Sequence, residues 1–210
     1  MSTITLGDWK LYEAGKKAAK GIIVIHEIFG FNQYIASVAD SLAKAGYKAI
    51  AVDLFKGKVA KSLEEGMKFR SEVTNEDLND CIGSAEKKMR EEGVEKVGVL
   101  GFCMGGGFAL QSACNLNIDY CIDYYGLIQN EGDVERLKGP LLIVLASNDE
   151  RVTMWALQKL LPATVRYQKK VELHLYPNTV HAFHRPGWQG YNKEAADDAW
   201  ERTLDFIRRV

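Results

Sequence analysis

Residues 96–109 read KVGVLGFCMGGGFA, and this stretch decides the fold of the chain. The apolar run at 97–100 is typical of a buried strand, and a glycine-rich segment compatible with a helix follows Cys103. A reactive side chain at the tip of such a strand, turn and helix needs a strained backbone, which leaves no room for a Cβ two positions before and after it. Gly101 and Gly105 occupy these positions. The G-x-C-x-G pattern therefore predicts a nucleophile elbow in which Cys103 is the nucleophile.

The same stretch has two less specific interpretations. A cysteine in an apolar strand is more often a small buried hydrophobe than a nucleophile, and we interpret Cys81, Cys114 and Cys121 in this way. A glycine-rich turn can also bind a phosphate group, but these glycines lack the G-x-G-x-x-G spacing and no P-loop lysine follows them. An elbow is distinguished from both by an acid and a histidine further along the chain.

The composition is that of a globular protein with almost no net charge. The chain has 210 residues, 47% of them hydrophobic, so we expect one domain, residues 1–210, with a large core. The 27 Lys and Arg nearly balance the 28 Asp and Glu, and no overall field therefore favours nucleic acid or an anionic membrane surface. We expect a small-molecule ligand and a monomer or small homo-oligomer.

Targeting and cysteine patterns predict a cytoplasmic protein with reduced cysteines. The N-terminal segment contains no long apolar run, and the apolar runs elsewhere are too short to span a bilayer. The four cysteines form no CxxC pair and no cluster with histidine, which argues against a disulfide framework and a structural zinc site. We therefore expect no metal and no membrane partner.

Strand and helix patterns alternate along most of the chain. Two short strands, at 4–6 and 11–13, are an antiparallel start to a sheet. Further strands are predicted at 21–25, 47–52, 97–100, 120–124, 141–146 and, with a more exposed alternating pattern, 171–176. Strands that alternate with helices predict an α/β fold, with a mostly parallel sheet and helices on both faces. Ligands of such sheets bind at the carboxyl ends of the strands.

Helices with one apolar face are predicted between these strands. The first, around 35–42, is closed by Gly46, and another begins with a capping box at Thr74. A helix at 153–161 is predicted to end before Pro162, and a final helix contains the apolar positions of 196–207. The segment from 53 to 74 has the weakest pattern, which predicts only a short helix around 59–70.

An elbow nucleophile needs a base that accepts its proton and an acid that orients the base. Asp149 follows the strand at 141–146, where its simpler interpretation is a helix-start acid; Glu150 is an inferior alternative. His181 lies in the loop after the last strand, where a lone histidine is usually structural or exposed. Three such groups after three separate strands rarely coincide by chance. We therefore predict a triad of Cys103, Asp149 and His181.

The backbone next to the nucleophile has a predicted role as well. An oxyanion hole in this arrangement uses the N–H after the nucleophile and one from the loop after an early strand, which are those of Met104 and Ile28. Glu27 precedes Ile28 at the end of a buried strand. Its carboxylate either pairs with a nearby cation or faces the site, where it holds or deprotonates the thiol of Cys103.

The remaining histidines receive no catalytic role from the sequence. His174 lies within a strand and is interpreted as structural. His26 and His184 flank the predicted site loops without an assigned function.

Several segments together resemble a known family. They are HEIFGFN at 26–32, GFCMGG at 101–106, YYG at 124–126, Asp149, HAFHR at 181–185 and ERTLDF at 201–206. From about residue 21 to the C-terminus the chain resembles the dienelactone hydrolases, or carboxymethylenebutenolidases, of the α/β-hydrolase superfamily. The resemblance implies an α/β-hydrolase fold without a large cap domain and without a cofactor.

The resemblance also implies roles for individual residues. The Cys-Asp-His triad of the family corresponds to Cys103, Asp149 and His181, and its site glutamate corresponds to Glu27. Its substrate-carboxylate arginine corresponds to Arg185, which is otherwise an ordinary surface arginine, and Tyr125 corresponds to a pocket residue. Family members that act on dienelactone offer a second arginine before the long helix. This chain has Lys56, Lys58, Lys61, Lys68 and Arg70 in that region without a clear match, so the resemblance does not define the substrate.

These inferences predict a cofactor-free hydrolase of lactones or activated esters. Cys103 attacks the carbonyl carbon and forms a thioester, and a dienelactone-like substrate gives a maleylacetate-type product. One alternative is a general carboxylesterase or thioesterase. Another is a non-catalytic protein in which Cys103 is a redox-sensing thiol, although such a sensor needs no acid and histidine in hydrolase order.

Overall fold

A single eight-stranded sheet organises the described part of the chain, residues 2–128 and 130–210 of a computed structural model. In chain order the strands are β1 (Ser2–Leu6), β2 (Trp9–Ala14), β3 (Lys20–Ile25), β4 (Lys48–Val52), β5 (Lys96–Phe102), β6 (Tyr120–Tyr124), β7 (Leu141–Ala146) and β8 (Val171–Tyr176). Across the sheet their order is β1-β2-β4-β3-β5-β6-β7-β8. β1, β2 and β4 pair antiparallel, whereas every pair from β4 to β8 is parallel. The antiparallel start and the mostly parallel sheet are confirmed.

Helices pack on both faces of this sheet. They are α1 (Gln33–Lys44), α2 (Leu63–Glu72), α3 (Asn75–Glu91), α4 (Met104–Asn115), α5 (Glu150–Trp155), α6 (Leu161–Arg166) and α7 (Lys193–Arg209), with a 3₁₀ helix at Glu131–Arg136. The β3-α1-β4 crossover runs along the sheet in the opposite direction to β5-α4-β6. Because such crossovers are right-handed, α1 and α4 lie on opposite faces. No large cap domain is evident in the described residues.

The central strands form the core because helices cover both of their faces. Ile23 of β3, Val99 of β5 and Ile143 of β7 are fully buried. In β8 only Tyr176 is buried, which confirms the more exposed character predicted for that strand. Among the described residues, every helix is too short or too polar to cross a membrane.

The predicted helix signals are found at several ends. Asp77 N donates a 3.0 Å hydrogen bond to Thr74 Oγ1, and Thr74 N donates to the Asp77 carboxylate, so the capping box of α3 is confirmed. Gly46 follows α1 with a φ of +93°, a left-handed conformation that glycine adopts without a steric penalty. The short helix predicted around 59–70 is α2, which begins after the N-cap residue Ser62.

One predicted helix end is wrong. The helix does not end before Pro162, because α5 continues through a π-helical turn, Ala156–Leu160, into α6, which ends at Arg166. Proline breaks a regular helix because it lacks an N–H and its ring clashes with a carbonyl one turn earlier. The turn before Pro162 is the wider π type, and the proline lies in the first turn of α6, where a missing N–H is tolerated.

Candidate active site

Cys103 lies at the turn between β5 and α4 in a backbone conformation that few residues adopt. Its φ is +55° and its ψ is −118°, which is strained for a residue with a Cβ. Hydrogen bonds hold this conformation: Cys103 N donates to Tyr124 O at 2.9 Å, and Gly106 N donates to Cys103 O at 3.0 Å. The half-buried side chain is thereby fixed at the carboxyl edge of the sheet.

Two glycines give the elbow the room that the sequence predicts. A Cβ on Gly101 would lie 1.9 Å from Gly105 O, and a Cβ on Gly105 would lie 2.5 Å from both Ile25 O and His26 O. No side chain fits at either position without moving backbone. The first turn of α4 therefore packs directly against the end of β3.

His181 and Asp149 approach Cys103 from the loops after β8 and β7. His181 Nδ1 pairs with Asp149 Oδ2, and the imidazole lies near enough to Cys103 for that residue to affect its pKa. The Asp149 side chain is 10% exposed and that of His181 is 38% exposed. The acid is thus enclosed and the base is open to a ligand.

The charge of His181 follows from these two contacts. Burial lowers the pKa of His181, but its interactions with Asp149 and Cys103 raise it more, to about 10. An imidazole placed between a carboxylate and a thiol can accept the thiol proton and hold it as an imidazolium. The arrangement therefore has the parts that nucleophilic catalysis by a cysteine requires.

Glu27 and Arg185 bring the loops after β3 and β8 together. Arg185 Nη1 lies 2.8 Å from Glu27 Oε2, and the Glu27 side chain is only 2% exposed. The Arg185 N–H is not directed at this oxygen, so Oε2 has no aligned hydrogen-bond partner among the described residues. Burial raises the pKa of Glu27 to about 7, although the charges of Arg185 and His181 act to lower it. Glu27 therefore pairs with a cation and also lies near the histidine of the site.

Tyr125 forms a wall of the site beside His181. Its ring centroid is 5.1 Å from that of His181, and its residue is 1% exposed. Burial raises the pKa of the Tyr125 phenol, and the nearby charges of Glu27 and Cys103 raise it further. Its buried hydroxyl has no aligned hydrogen-bond partner among the described residues.

The two predicted oxyanion amides follow neighbouring strands. β3 and β5 pair in parallel, so the loop with Ile28 and the first residue of α4, Met104, lie at the same edge of the sheet. Within residues 2–128 and 130–210, neither N–H donates a hydrogen bond to a protein acceptor. Both amides are therefore available to an oxygen of a bound ligand.

A family comparison identifies the relatives of this site. A model described as the dienelactone hydrolase family matches residues 10–210. The chain belongs to the dienelactone hydrolase family. Members of this family are hydrolases that act on ester bonds.

Individual relatives align with most of the chain. A Saccharolobus solfataricus protein named "Putative carboxymethylenebutenolidase" is 32% identical, over 90% of this chain and 89% of its own. The carboxymethylenebutenolidase of Pseudomonas putida is 29% identical, over 91% and 86%. A Klebsiella pneumoniae crystal structure titled "Putative Dienelactone Hydrolase" superposes with a TM-score of 0.86 at 21% identity, over 96% and 93%. At that identity the structural likeness concerns the fold alone.

Two buried histidines near the site form hydrogen bonds with other loops. His26 Nδ1 donates to Glu27 O at 2.7 Å, while its Nε2 accepts from Leu54 N at 3.1 Å. His184 Nδ1 and the Tyr34 hydroxyl are 2.9 Å apart. Burial lowers the pKa of each histidine to about 4, so both are neutral at physiological pH. His26 thereby ties the loop after β3 to the loop after β4.

The basic residues before α3 have different environments. Lys56 Nζ lies 3.3 Å from Asp77, and Lys58 pairs with Glu72. Arg70 of α2 places its guanidinium carbon 5.4 Å from the ring centroid of Phe108 on α4. Arg70 is therefore next to the helix that begins at the nucleophile.

α2 itself rests on the predicted oxyanion loop. Gly66 is buried, and a Cβ at this position would lie 2.4 Å from Ile28 O. The sequence gives no signal for this contact, because a glycine within a helical pattern is equally consistent with a surface position.

Three of the four cysteines are buried, as the sequence predicts for small hydrophobic residues. Cys81, Cys114 and Cys121 are at most 4% exposed, and burial raises the pKa of each thiol. Cys103 alone is half-buried. The elbow cysteine is thus the accessible thiol of the chain.

A buried carboxylate that the sequence hardly signals lies below the elbow. Asp123 of β6 is 1% exposed and its Oδ1 accepts a 2.8 Å hydrogen bond from Gly126 N. A Cβ on Gly106 would lie 2.2 Å from this oxygen, so the carboxylate packs against the first turn of α4. Burial raises the pKa of Asp123 to about 7. An acid within an apolar strand is the only sequence signal for it.

Proposed function

We propose that this protein hydrolyses lactones or activated esters through a Cys103, Asp149 and His181 triad and a thioester intermediate. The observation that carries the proposal is the pairing of His181 with Asp149 beside a cysteine held at a strained elbow. Such an arrangement activates a nucleophile and orients its base. Membership in the dienelactone hydrolase family supports the same chemistry.

Acylation begins from the state in which His181 holds the thiol proton. The thiolate of Cys103 attacks the carbonyl carbon, and the carbonyl electron pair moves to oxygen, where the Ile28 and Met104 N–H groups stabilise the negative charge. Collapse of this intermediate expels the ring oxygen as an alkoxide or enolate, which takes the proton from His181. An enolate leaves readily because its charge is delocalised.

Deacylation uses the same base. His181, oriented by Asp149, removes a proton from water, and the hydroxide attacks the thioester carbon. The second tetrahedral intermediate expels the Cys103 thiolate, which recovers a proton from the imidazolium. Water has then been added across the ester bond, and the free enzyme is restored.

We further propose that Arg185 binds a carboxylate of the substrate, which deepens the likeness to carboxymethylenebutenolidases. Its guanidinium is 22% exposed and lies 2.8 Å from the Glu27 carboxylate. A substrate carboxylate would compete with Glu27 for this cation. Because Arg185 lowers the pKa of Glu27, its withdrawal leaves Glu27 a stronger base beside the triad.

The first test measures turnover of dienelactone and of p-nitrophenyl acetate by the wild type and by Cys103→Ala. We expect loss of at least about 10³-fold in kcat on both substrates, because the covalent step is removed. Cys114→Ala, which removes a buried thiol, is the matched control and is expected to keep activity. Normal turnover by Cys103→Ala would refute the mechanism.

The relative rates on the two substrates separate the remaining alternatives. Preference for dienelactone supports a carboxylate-binding lactonase. Thiol-dependent turnover of p-nitrophenyl acetate alone keeps the triad and indicates a general esterase. Absence of turnover on both substrates by the wild type would contradict the proposal and favour a redox-sensing thiol.

A further inference from the structure

The Arg185 guanidinium lies against two aromatic rings that also lie next to each other. Its central carbon is 4.5 Å from the ring centroid of Phe29 and 5.6 Å from that of Trp188, and the two rings are 6.0 Å apart. Both distances lie within the range at which a cation is attracted to an aromatic face.

The ion pair with Glu27 does not by itself fix the position of Arg185. The 2.8 Å contact lacks an aligned hydrogen bond, and in the proposed reaction a substrate carboxylate replaces Glu27. A guanidinium whose only partner has left could then adopt other rotamers. The aromatic rings are the contacts that remain during this exchange.

Trp188 is itself held by the loop that carries Arg185. Arg185 N donates to Ala182 O at 3.0 Å, Trp188 N donates to Arg185 O at 3.3 Å, and Tyr191 N donates to Trp188 O at 3.0 Å. These successive turns set the distance between the arginine and the tryptophan along the chain. The indole is nevertheless 37% exposed, so its ring is not simply a core residue.

Gly190 completes the support of the ring. A Cβ on Gly190 would lie 2.4 Å from Val180 Cγ2 and 3.5 Å from Trp188 Cδ1. The segment beyond Trp188 is therefore packed between the indole and the residue that precedes His181. Trp188, Arg185 and His181 therefore lie in one packed loop.

We propose that Trp188 is a positioning residue that, with Phe29, keeps the Arg185 guanidinium directed at the carboxylate of the substrate while Glu27 is displaced. The inference rests on the proposed role of Arg185. It assigns part of the selectivity for carboxylate-bearing substrates to an exposed indole that does not touch the reacting atoms.

The test compares Trp188→Leu with Trp188→Phe, using dienelactone as the carboxylate-bearing substrate and p-nitrophenyl acetate as the neutral one. For Trp188→Leu we expect KM for dienelactone to rise about fivefold relative to KM for the ester, with kcat much less affected. Trp188→Phe keeps an aromatic face and is expected to restore most of the preference. Tyr191→Leu is the matched control, since Tyr191 lies in the same loop and is also 37% exposed.

Arg185→Ala distinguishes the two proposals. In that background, Trp188→Leu is expected to have no further effect on the KM ratio, because the group it positions is absent. An unchanged ratio in Trp188→Leu, beside a raised ratio in Arg185→Ala, would overturn the inference alone. An unchanged KM ratio in Arg185→Ala would overturn the carboxylate-binding role and the inference with it. If Trp188→Phe and Trp188→Leu raised the KM ratio equally, the role of the ring contact would be refuted.

Discussion

Arg185 combines three contacts in one guanidinium, an acidic side chain and two aromatic rings. Its charge is partly buried, and its ordinary partner, Glu27, is almost completely enclosed. A planar guanidinium suits this position because it binds carboxylates through two parallel N–H groups and also stacks on rings. Lysine offers neither geometry.

Replacing Arg185 with alanine tests the carboxylate-binding role directly. We expect KM for dienelactone to rise by about tenfold or more, and KM for p-nitrophenyl acetate to rise far less, because one charge-assisted pair is lost. Steady-state kinetics on both substrates provide the measurement. Arg202→Ala, which removes an exposed arginine on α7, serves as the control; equal increases for both substrates would rule out the role.

The positions of Cys103, Asp149 and His181 at one edge of the sheet could be predicted, but the partners of Arg185 could not. Cys103, Asp149 and His181 each follow a strand pattern, and parallel strands bring such positions to one edge. The contacts of Arg185 have no comparable signal. Its partners Glu27 and Trp188 lie in loops without periodicity, and only the fold determines which side chains of two loops meet.

At the scale of elements, α2 acts as a support for the oxyanion loop. Gly66 brings the helix backbone so close to Ile28 that a Cβ would lie 2.4 Å from the carbonyl oxygen and 2.9 Å from Cγ1. Movement of α2 would therefore move Ile28, whose N–H we propose as an oxyanion donor. The segment that the sequence describes least well thus contacts the most sensitive backbone of the site.

Gly66→Ala is expected to lower kcat for p-nitrophenyl acetate by about tenfold, because a displaced donor stabilises the oxyanion less. The matched control is Gly83→Ala within α3, where a Cβ meets no atom within 4 Å. That control should raise stability by up to about 1 kcal/mol and leave kcat unchanged, since alanine favours a helix over glycine. If both variants keep full kcat while Gly66→Ala folds normally, the support by α2 is refuted.

The pattern of elements was largely predictable for a physical reason. Buried strands require continuous apolar runs and surface helices require one apolar face, so both leave a periodic trace. The continuation of α5 into α6 left none, because Pro162 signals a helix end in sequence and only the π turn before it removes the conflict. Similarly, the close approach of Gly66 is a property of packing between distant segments.

At the scale of the whole molecule, buried titratable groups give opposite pH dependences of stability. Burial raises the pKa of Glu27 and Asp123 to about 7. The contribution of each carboxyl group to the free energy of unfolding therefore falls as the pH rises from the ordinary pKa of the group towards 7. Burial lowers the pKa of His26 and His184 from 6.5 to about 4. The contribution of each histidine to the free energy of unfolding therefore falls as the pH falls through the same window. The two slopes act against each other between about pH 4 and pH 7.

Removing one carboxylate should change the pH dependence of the free energy of unfolding. Asp123→Asn keeps an oxygen that can accept from Gly126 N, but it carries no ionisable proton. Relative to the wild type, we expect a free energy of unfolding higher by about 2 kcal/mol at pH 8, where Asp123 is ionised, and little gain at pH 4. Urea unfolding at both pH values provides the measurement. Asp8→Asn at an exposed turn is the control, and a gain of equal size at both pH values would contradict the assignment.

The burial of Cys81, Cys114 and Cys121 has a practical consequence for any sample of this protein. A folded molecule presents one thiol, that of Cys103, to a maleimide dye, whereas an unfolded molecule presents four. The number of dye molecules per chain is therefore one for a fully folded sample and rises by three for every chain that unfolds. The labelling ratio of a sample thus gives its folded fraction without an assay of activity.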